Sequence, residues 1–470
     1  MTVLAFVIGV VILVVGLAVS IALHELGHLL PAKAFGVRVG QYMIGFGPTI
    51  WSRRRGETQY GVKALPLGGY ISMAGMYPPS PEATAEPAAT VVEHGDADAS
   101  EAGDTSVRVD RAASAGEESR RTRFFQTLVQ DARAVNDETM TGQEDDRVFY
   151  RLPVFKRVII MLGGPLMNLL LAIVLFTILF SGIGVQTATT TVASISDCVP
   201  VSTVSDTCAG GETPAAQAGL RAGDQIVSID GTAVSTFAEA YAIIQKSAGT
   251  RLSVVVLRDG AEQTLSVTPV AVQTPVTDAA GAAVTGADGQ PEMREVGFIG
   301  FRPSSAYVPQ PIWAGPQIAF ENVGQVAAVM VKLPVYVYET AASLVTGAER
   351  DPNGPLSPVG AGALAGEIAS SDQLPVLNRV AGIIGLLGSL NIALFVFNLI
   401  PLLPLDGGHI VVALWDGLRR SWAKVFRRPP PKPVDATKLV PVTFVVVTLL
   451  AVMGVVLVLA DLFNPIAFFR

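Results

Sequence analysis

Cysteine and histidine are both scarce in this chain, whose 470 residues carry two cysteines and four histidines. The two cysteines, Cys198 and Cys208, form no CxxC pair, which excludes a multi-cysteine zinc module or a disulfide scaffold. A metal would have to be held by histidine and carboxylate. Charge is scarce too, at 16% of residues, and none of it falls between Thr2 and Leu23. There is no cluster of basic and aromatic residues and no phosphate-cradling loop, so no nucleic-acid partner is expected. What fills the chain instead is apolar. Half of the residues are hydrophobic and the mean hydropathy is +0.47, the profile of a polytopic membrane protein whose constant partner is the lipid bilayer.

The net charge of −7 is local in origin, because residues 77–146 hold 16 acidic and 6 basic residues and leave 24 acidic and 27 basic elsewhere. That tract, rich in Ala, Glu, Asp, Ser, Thr and Pro, has too little apolar surface to offset the entropy of ordering. It is expected to be a largely disordered cytoplasmic insert, with a short amphipathic helix over 121–140.

Within the first apolar run, Ile21-Ala-Leu-His-Glu-Leu-Gly-His-Leu-Leu30 places two histidines and a glutamate where a bilayer span is expected. On a helix His24 and His28 share a face, so both imidazoles can bind one Zn²⁺ while Glu25 sits beside them to move a proton. Three protein ligands leave a fourth zinc position for water, which the metal acidifies for attack on a peptide carbonyl. HExxH also arises by chance on soluble surface helices. Ionisable groups in a span, however, cost on the order of several kcal/mol unless bound or paired. The third ligand is read far downstream, in Asn398-Leu-Ile-Pro-Leu-Leu-Pro-Leu-Asp-Gly-Gly-His409, where Pro401 and Pro404 break a span ahead of Asp406. Irregular backbone at membrane depth persists only around a protein-lined or wet cavity. The plain alternative for Asp406 is a helix cap before a glycine turn.

Taken in order, residues 1–35 form the first transmembrane helix and 36–76 a membrane-associated β-hairpin region with Gly-rich ends at Gly45-Phe-Gly-Pro48 and Leu65-Pro-Leu-Gly-Gly-Tyr70. Alternation over 58–63 suggests exposed strand edges at which Tyr60 and Val62 would meet an extended peptide, a merely structural hairpin being the alternative. Residues 147–184 hold the second span, entered through a break at Gly163-Gly-Pro165, with Asn168 either gluing helices or contacting the substrate or the site. Residues 185–272 read as strands and turns with a helix near 237–247; Cys198 and Cys208 pair there if the region is extracytoplasmic and stay as thiols otherwise. Residues 273–378 read as a loop, a returning strand and an interfacial helix over 315–346, interrupted by Glu321, Lys332 and Glu339 and so not counted as a span. The third span occupies 379–412, a basic loop 413–438, and the fourth span 439–470. Basic loops stay cytoplasmic. Both termini and 185–272 are then extracytoplasmic, and His24, about 30 Å down its helix, shares the inner leaflet with Asp406.

Pro214-Ala-Ala-Gln-Ala-Gly-Leu220 with Arg221-Ala-Gly-Asp-Gln-Ile-Val-Ser-Ile-Asp-Gly231 resembles a PDZ domain of the bacterial protease-associated kind, which implies binding of peptide ends or strands by edge addition. HELGH, this region and the NLIPLLPLDGG run together resemble the site-2 protease family of intramembrane zinc metalloproteases, with an especially close resemblance to four-span bacterial members with a PDZ domain. The resemblance implies a polytopic α-helical membrane protein with four transmembrane helices, a membrane-associated β-hairpin region and an inserted α+β PDZ-like domain, set in the bacterial inner membrane. It implies Zn²⁺ held by His24, His28 and Asp406, with Glu25 as catalytic base. It implies single-span substrates such as anti-sigma factors, cut after another protease has trimmed them. Gly163-Gly-Pro165 with Asn168 matches the family's second-span motif, Asn398 a substrate-contacting asparagine, Asn391 less closely, and Leu356-Ser-Pro-Val-Gly360 is also familial. The acidic insert departs from the pattern. The competing class is a zinc-binding membrane transporter or a scaffold presenting its PDZ domain; a transporter would show internal repeats and paired broken helices, and a scaffold has no need of Glu25.

Overall fold

In the computed structural model the described residues are 2–76, 147–202, 207–208, 210–276, 284, 290–351, 354–429, 431, 434 and 439–466. The acidic insert expected over 77–146 and the helix expected within it lie outside them. The chain divides into two compact units, Met1–Leu179 with Ile312–Arg470, and Phe180–Pro311.

The first unit is built on helices α1 (Thr2–Ala34) and α2 (Val154–Thr177). A Cβ on Gly27 would collide with the Gly163 carbonyl and one on Gly163 with that of Gly27, so the glycines let the two backbones touch. Gly163-Gly-Pro165 is therefore not the break expected from proline: α2 runs through it, and the glycines set the approach to α1.

Between α1 and α2, strand β1 (Val39–Arg55) pairs antiparallel with β2 (Thr58–Met73). The strands are long enough to fold back on one another. Gln59–Val62 lie between Gln41–Ile44 on one side and Trp51–Arg54 on the other, while Gly69–Met73 pair only with Val39–Ile44. The free edges among the described residues are 69–73 and 49–55. Leu29, Val37, Val39, Met73, Phe149 and Ile160 form the buried core joining this sheet to α1 and α2.

Helix α5 (Ala314–Thr346) returns to the end of α2, where a Cβ on Gly315 would overlap Thr177. Helix α6 (Pro358–Ser370) starts at an N-cap in which Ser357 Oγ accepts from Val359 N at 3.1 Å and Gly360 N at 3.3 Å. Its Ala361 and Ala365 pack on Leu13. Helix α7 (Val376–Asn398) runs parallel to α1: Gly16 faces Leu387, and one turn on Asn391 Nδ2 donates to Ser20 Oγ at 2.9 Å. Helix α8 (Asp406–Val425) follows a short break and carries into helical form the start of the segment expected as a basic loop over 413–438. Helix α9 (Val440–Phe463) closes the unit. Among the described residues five helices, over Val3–Ala34, Val154–Ile183, Ala314–Thr346, Val376–Asn398 and Val440–Phe463, are long and apolar enough to cross a membrane, one more than the four expected. Two buried ion clusters tie helices together. Asp416 takes Arg157 at 2.7 Å and Arg420 at 3.0 Å, and Asp461 takes Arg350 at 2.6 Å and the Ser357 amide at 2.7 Å.

The second unit is a six-stranded sheet of β3 (Val185–Ile195), β4 (Gln225–Ile229), β5 (Thr232–Ala233), β6 (Leu252–Arg258), β7 (Ala261–Val267) and β10 (Phe301–Val308), ordered β10-β3-β4-β6-β7 with β5 on β4. Strands β8 (Val270–Pro275) and β9 (Met293–Phe298) pair apart. The residues expected to be a loop and a returning strand over 271–310 thus belong to this unit. A one-turn helix α3 (Pro214–Gln217) and α4 (Phe237–Lys246) complete it, α4 being opened by a capping box of Thr236 and Glu239. Val192, Ile226, Ile229, Ile244, Val254 and Val256 are among its core residues. Cys198 and Cys208 form a disulfide. Arg258 grips Asp224 with two donors at 2.7 Å each, which holds the Asp224 carboxyl below the usual carboxylate range.

Candidate metal centre

Residues spaced four apart on α1 bring His24 and His28 to one face, where their Nε2 atoms lie 3.3 Å apart. Asp406, the first residue of α8, completes the group with Oδ2 at 3.2 Å from His24 Nε2 and 3.3 Å from His28 Nε2. It reaches this point because Gly407 and Gly408 lack side chains. A Cβ on Gly407 would strike the carbonyls of Leu399 and Ile400, and one on Gly408 the backbone of Leu402 and Leu403. Gly164 is likewise required, since a Cβ there would overlap the His28 ring.

The outer hydrogen bonds aim the rings. His28 Nδ1 lies 2.7 Å from the Ile160 carbonyl, which can only accept, so Nδ1 carries the proton and Nε2 keeps its lone pair. The Asn168 carboxamide stands 3.2 Å from His24 Nδ1, and its Oδ1 is otherwise buried without a partner. A half-turn of that amide makes Oδ1 the acceptor for His24 Nδ1–H and frees the second Nε2. Three acceptor atoms then converge within 3.3 Å of one another. Asp406 Oδ2 is buried and has no hydrogen-bond donor. Lone pairs that converge this closely repel one another unless a cation or a proton lies between them. Zinc bound at about 2.0 Å spaces tetrahedral N/O ligands about 3.3 Å apart, so the residues fit that ion.

Glu25 is buried, 8% exposed, on the same helix. A Cβ on Gly69 would lie 2.9 Å from its Cγ and 3.1 Å from its Oε1, so the outer segment of β2 passes directly beside the glutamate. Tyr60 and Val62 do not hold the place expected for them. Their segment is paired on both edges, and the Tyr60 hydroxyl receives Lys33 Nζ at 2.6 Å. Alternation shows which faces side chains take but not which edge of a sheet stays unpaired. Asn398 donates to its own helix, at Leu394 O, 3.0 Å away. Asn391, 1% exposed, joins α7 to α1 one turn above His24.

A histidine pair and an aspartate set for one metal, with a glutamate alongside and all carried on apolar helices, define a metallopeptidase type of centre within a membrane protein. The sequence profile of peptidase family M50 matches residues 12–428, and the chain belongs to that family. The zinc metalloprotease Rip1 of Mycobacterium tuberculosis is 32% identical over 481 aligned residues, covering 99% of this chain and all of Rip1. Rip1 of Mycolicibacterium smegmatis is 31% identical with the same coverage. Metalloprotease MmpA of Caulobacter vibrioides is 27% identical over 433 residues, 89% of this chain and 88% of its own length.

Proposed function

We propose that this zinc-dependent intramembrane metalloprotease cuts single-span membrane proteins, anti-sigma factors among them, within or beside their transmembrane segment after a first cut outside the membrane. The observation that carries the reading is the convergence of His24, His28 and Asp406 beside Glu25 on helices apolar enough to span. Bound zinc supplies an acidified water and polarisation of the scissile carbonyl. Glu25 takes the proton of the attacking water and returns it to the leaving amine, and its burial keeps bulk water from competing. Ile160 and Asn168 hold the two imidazoles in the tautomer that ligation requires. The sequence assigns Asn398 and Asn168 to substrate; the hydrogen bonds favour a ring-orienting role for Asn168.

A helical substrate has its carbonyls already hydrogen-bonded, so it must unwind before attack. The free edge at Gly69–Met73, beside Glu25, offers the unwound segment a ladder of replacement bonds, in place of the Tyr60–Val62 edge read from sequence. The second unit serves as a PDZ-like domain that takes peptide ends or strands.

Four of the five candidate helices cross. α1 and α7 run parallel and α2 antiparallel to both, since Gly27 faces Gly163, His24 faces Asn168, and Phe176 faces Gly388. The chain between α2 and α7 therefore crosses an even number of times. Were α5 to cross, the return would fall to α6, whose 13 residues extend about 20 Å against a hydrocarbon core of about 30 Å. α5 instead lies along the membrane, as its three charges suggest. The basic residues of α8 favour the cytoplasm of a bacterial cell for that end, which leaves both termini and Phe180–Pro311 outside, a compartment that suits the Cys198–Cys208 disulfide. Comparing the membrane proteomes of cells carrying the wild-type chain and Glu25→Gln tests the substrate class. Trimmed single-span fragments should accumulate in the variant, and the absence of any such fragment would contradict the proposal.

A further inference from the structure

Helix α8 presents two unlike faces. On one, Ala413, Asp416 and Ala423 are buried, Gly417 meets Val154 of α2, and Asp416 holds Arg157 and Arg420. About half a turn away, Val411, Leu414, Trp415, Leu418, Trp422 and Val425 are each at least 45% exposed. Trp422 rests on Phe426 with ring centres 4.7 Å apart. Arg419 and Arg428 join Trp415, Leu418 and Trp422 around an open cavity of about 470 Å³. Over residues 411–428 there are five basic residues, Arg419, Arg420, Lys424, Arg427 and Arg428, against Asp416 alone, and Asp416 is turned inward.

We propose that this concavity binds an anionic phospholipid of the inner leaflet, with an acyl chain along the Trp415, Leu418 and Trp422 stripe and the phosphate between the guanidinium groups of Arg419 and Arg428. Apolar surface calls for an acyl chain, and two guanidinium groups that no acid faces among the described residues call for an anion. An anionic lipid carries both on adjoining atoms, whereas a zwitterionic lipid brings a cation of its own to the same arginines. The proposal rests on the membrane reading above, which sets α8 at the cytoplasmic face. Its consequence concerns the metal site, because the helix so anchored begins with Asp406.

The test uses the full chain with Trp51→Phe and Trp313→Phe, so that fluorescence reports Trp415 and Trp422 alone. The protein is reconstituted into phosphatidylcholine vesicles doped with brominated phosphatidylglycerol or, at equal mole fraction, brominated phosphatidylcholine. The glycerol lipid should quench at lower mole fraction. Arg419→Gln and Arg428→Gln should each weaken that preference about fivefold, with zinc content unchanged as the check that the fold persists. Equal quenching by the two lipids, or a preference that survives the double substitution, would overturn the proposal alone. Loss of the preference on adding millimolar glycerol phosphate would overturn it as well, by making this a soluble-phosphate site. Absence of quenching by either lipid would overturn the membrane reading with it.

Discussion

Asn168→Leu removes the acceptor proposed to align His24 while leaving the three candidate metal ligands in place, so zinc should bind roughly 10- to 100-fold more weakly. Competition with a chromophoric chelator measures this; wild-type affinity would show that Asn168 does not orient the ring. His24, Glu25 and His28 are legible in sequence because an apolar run that carries no other charge must bind or pair the ionisable groups it does contain. Asp406 is legible because two prolines and a Gly-Gly pair around it cannot form an ordinary span. Asn168 could be read as a substrate contact but not as the partner of His24, which lies 144 residues away. Asp461 and Arg157 also carry a signal, a charge at the margin of an apolar run, whose partners only the folded chain reveals.

At the scale of elements, the glycines carry much of the architecture. Gly69→Val should push Glu25 off its position without touching a ligand, and a misplacement of about 1 Å lowers turnover about a hundredfold. Zinc content and kcat measured together on the purified variant check this, and unchanged kcat would mean β2 does not bear on the glutamate. Proline misleads at this scale. Gly163-Gly-Pro165 reads as a break because proline removes a helical hydrogen bond, yet α2 continues because its neighbours Gly163 and Gly164 gain close packing against Gly27 and His28. The loop expected from the charges of residues 413–438 begins as helix because those charges line one flank of an amphipathic pattern, with Asp416 neutralised by Arg157.

Across the whole molecule, the four crossings proposed above would put the two termini on the same side of the membrane. Reporters fused at each end should therefore respond alike to an extracellular reagent, and opposite responses would contradict an even number of crossings. The second unit has its own pH dependence. Asp224 titrates below its unfolded value, so its ion pair with Arg258 stabilises the unit above about pH 4 and ceases to as the pH falls through the lowered folded value. Asp224→Asn should cost about 2 kcal/mol at neutral pH, discounted because Arg258 is partly exposed. Amide exchange of β4 and β6, corrected for intrinsic rate, reads this out, and equal protection in both proteins at neutral pH would contradict it. The extent of this unit is only partly legible in the sequence. β10 lies far along the chain from β3, the strand it pairs with, and no local pattern announces such pairing.

The central claim is that ligation and proton transfer are separate tasks of this centre. Zinc content and cleavage of a single-span substrate, measured on the same purified Glu25→Gln preparation beside Asp406→Ala, test it most directly. The account predicts one zinc per chain and at least a hundredfold loss of cleavage for Glu25→Gln, with loss of both metal and cleavage for Asp406→Ala. Wild-type turnover by Glu25→Gln, or full zinc in Asp406→Ala, would contradict it.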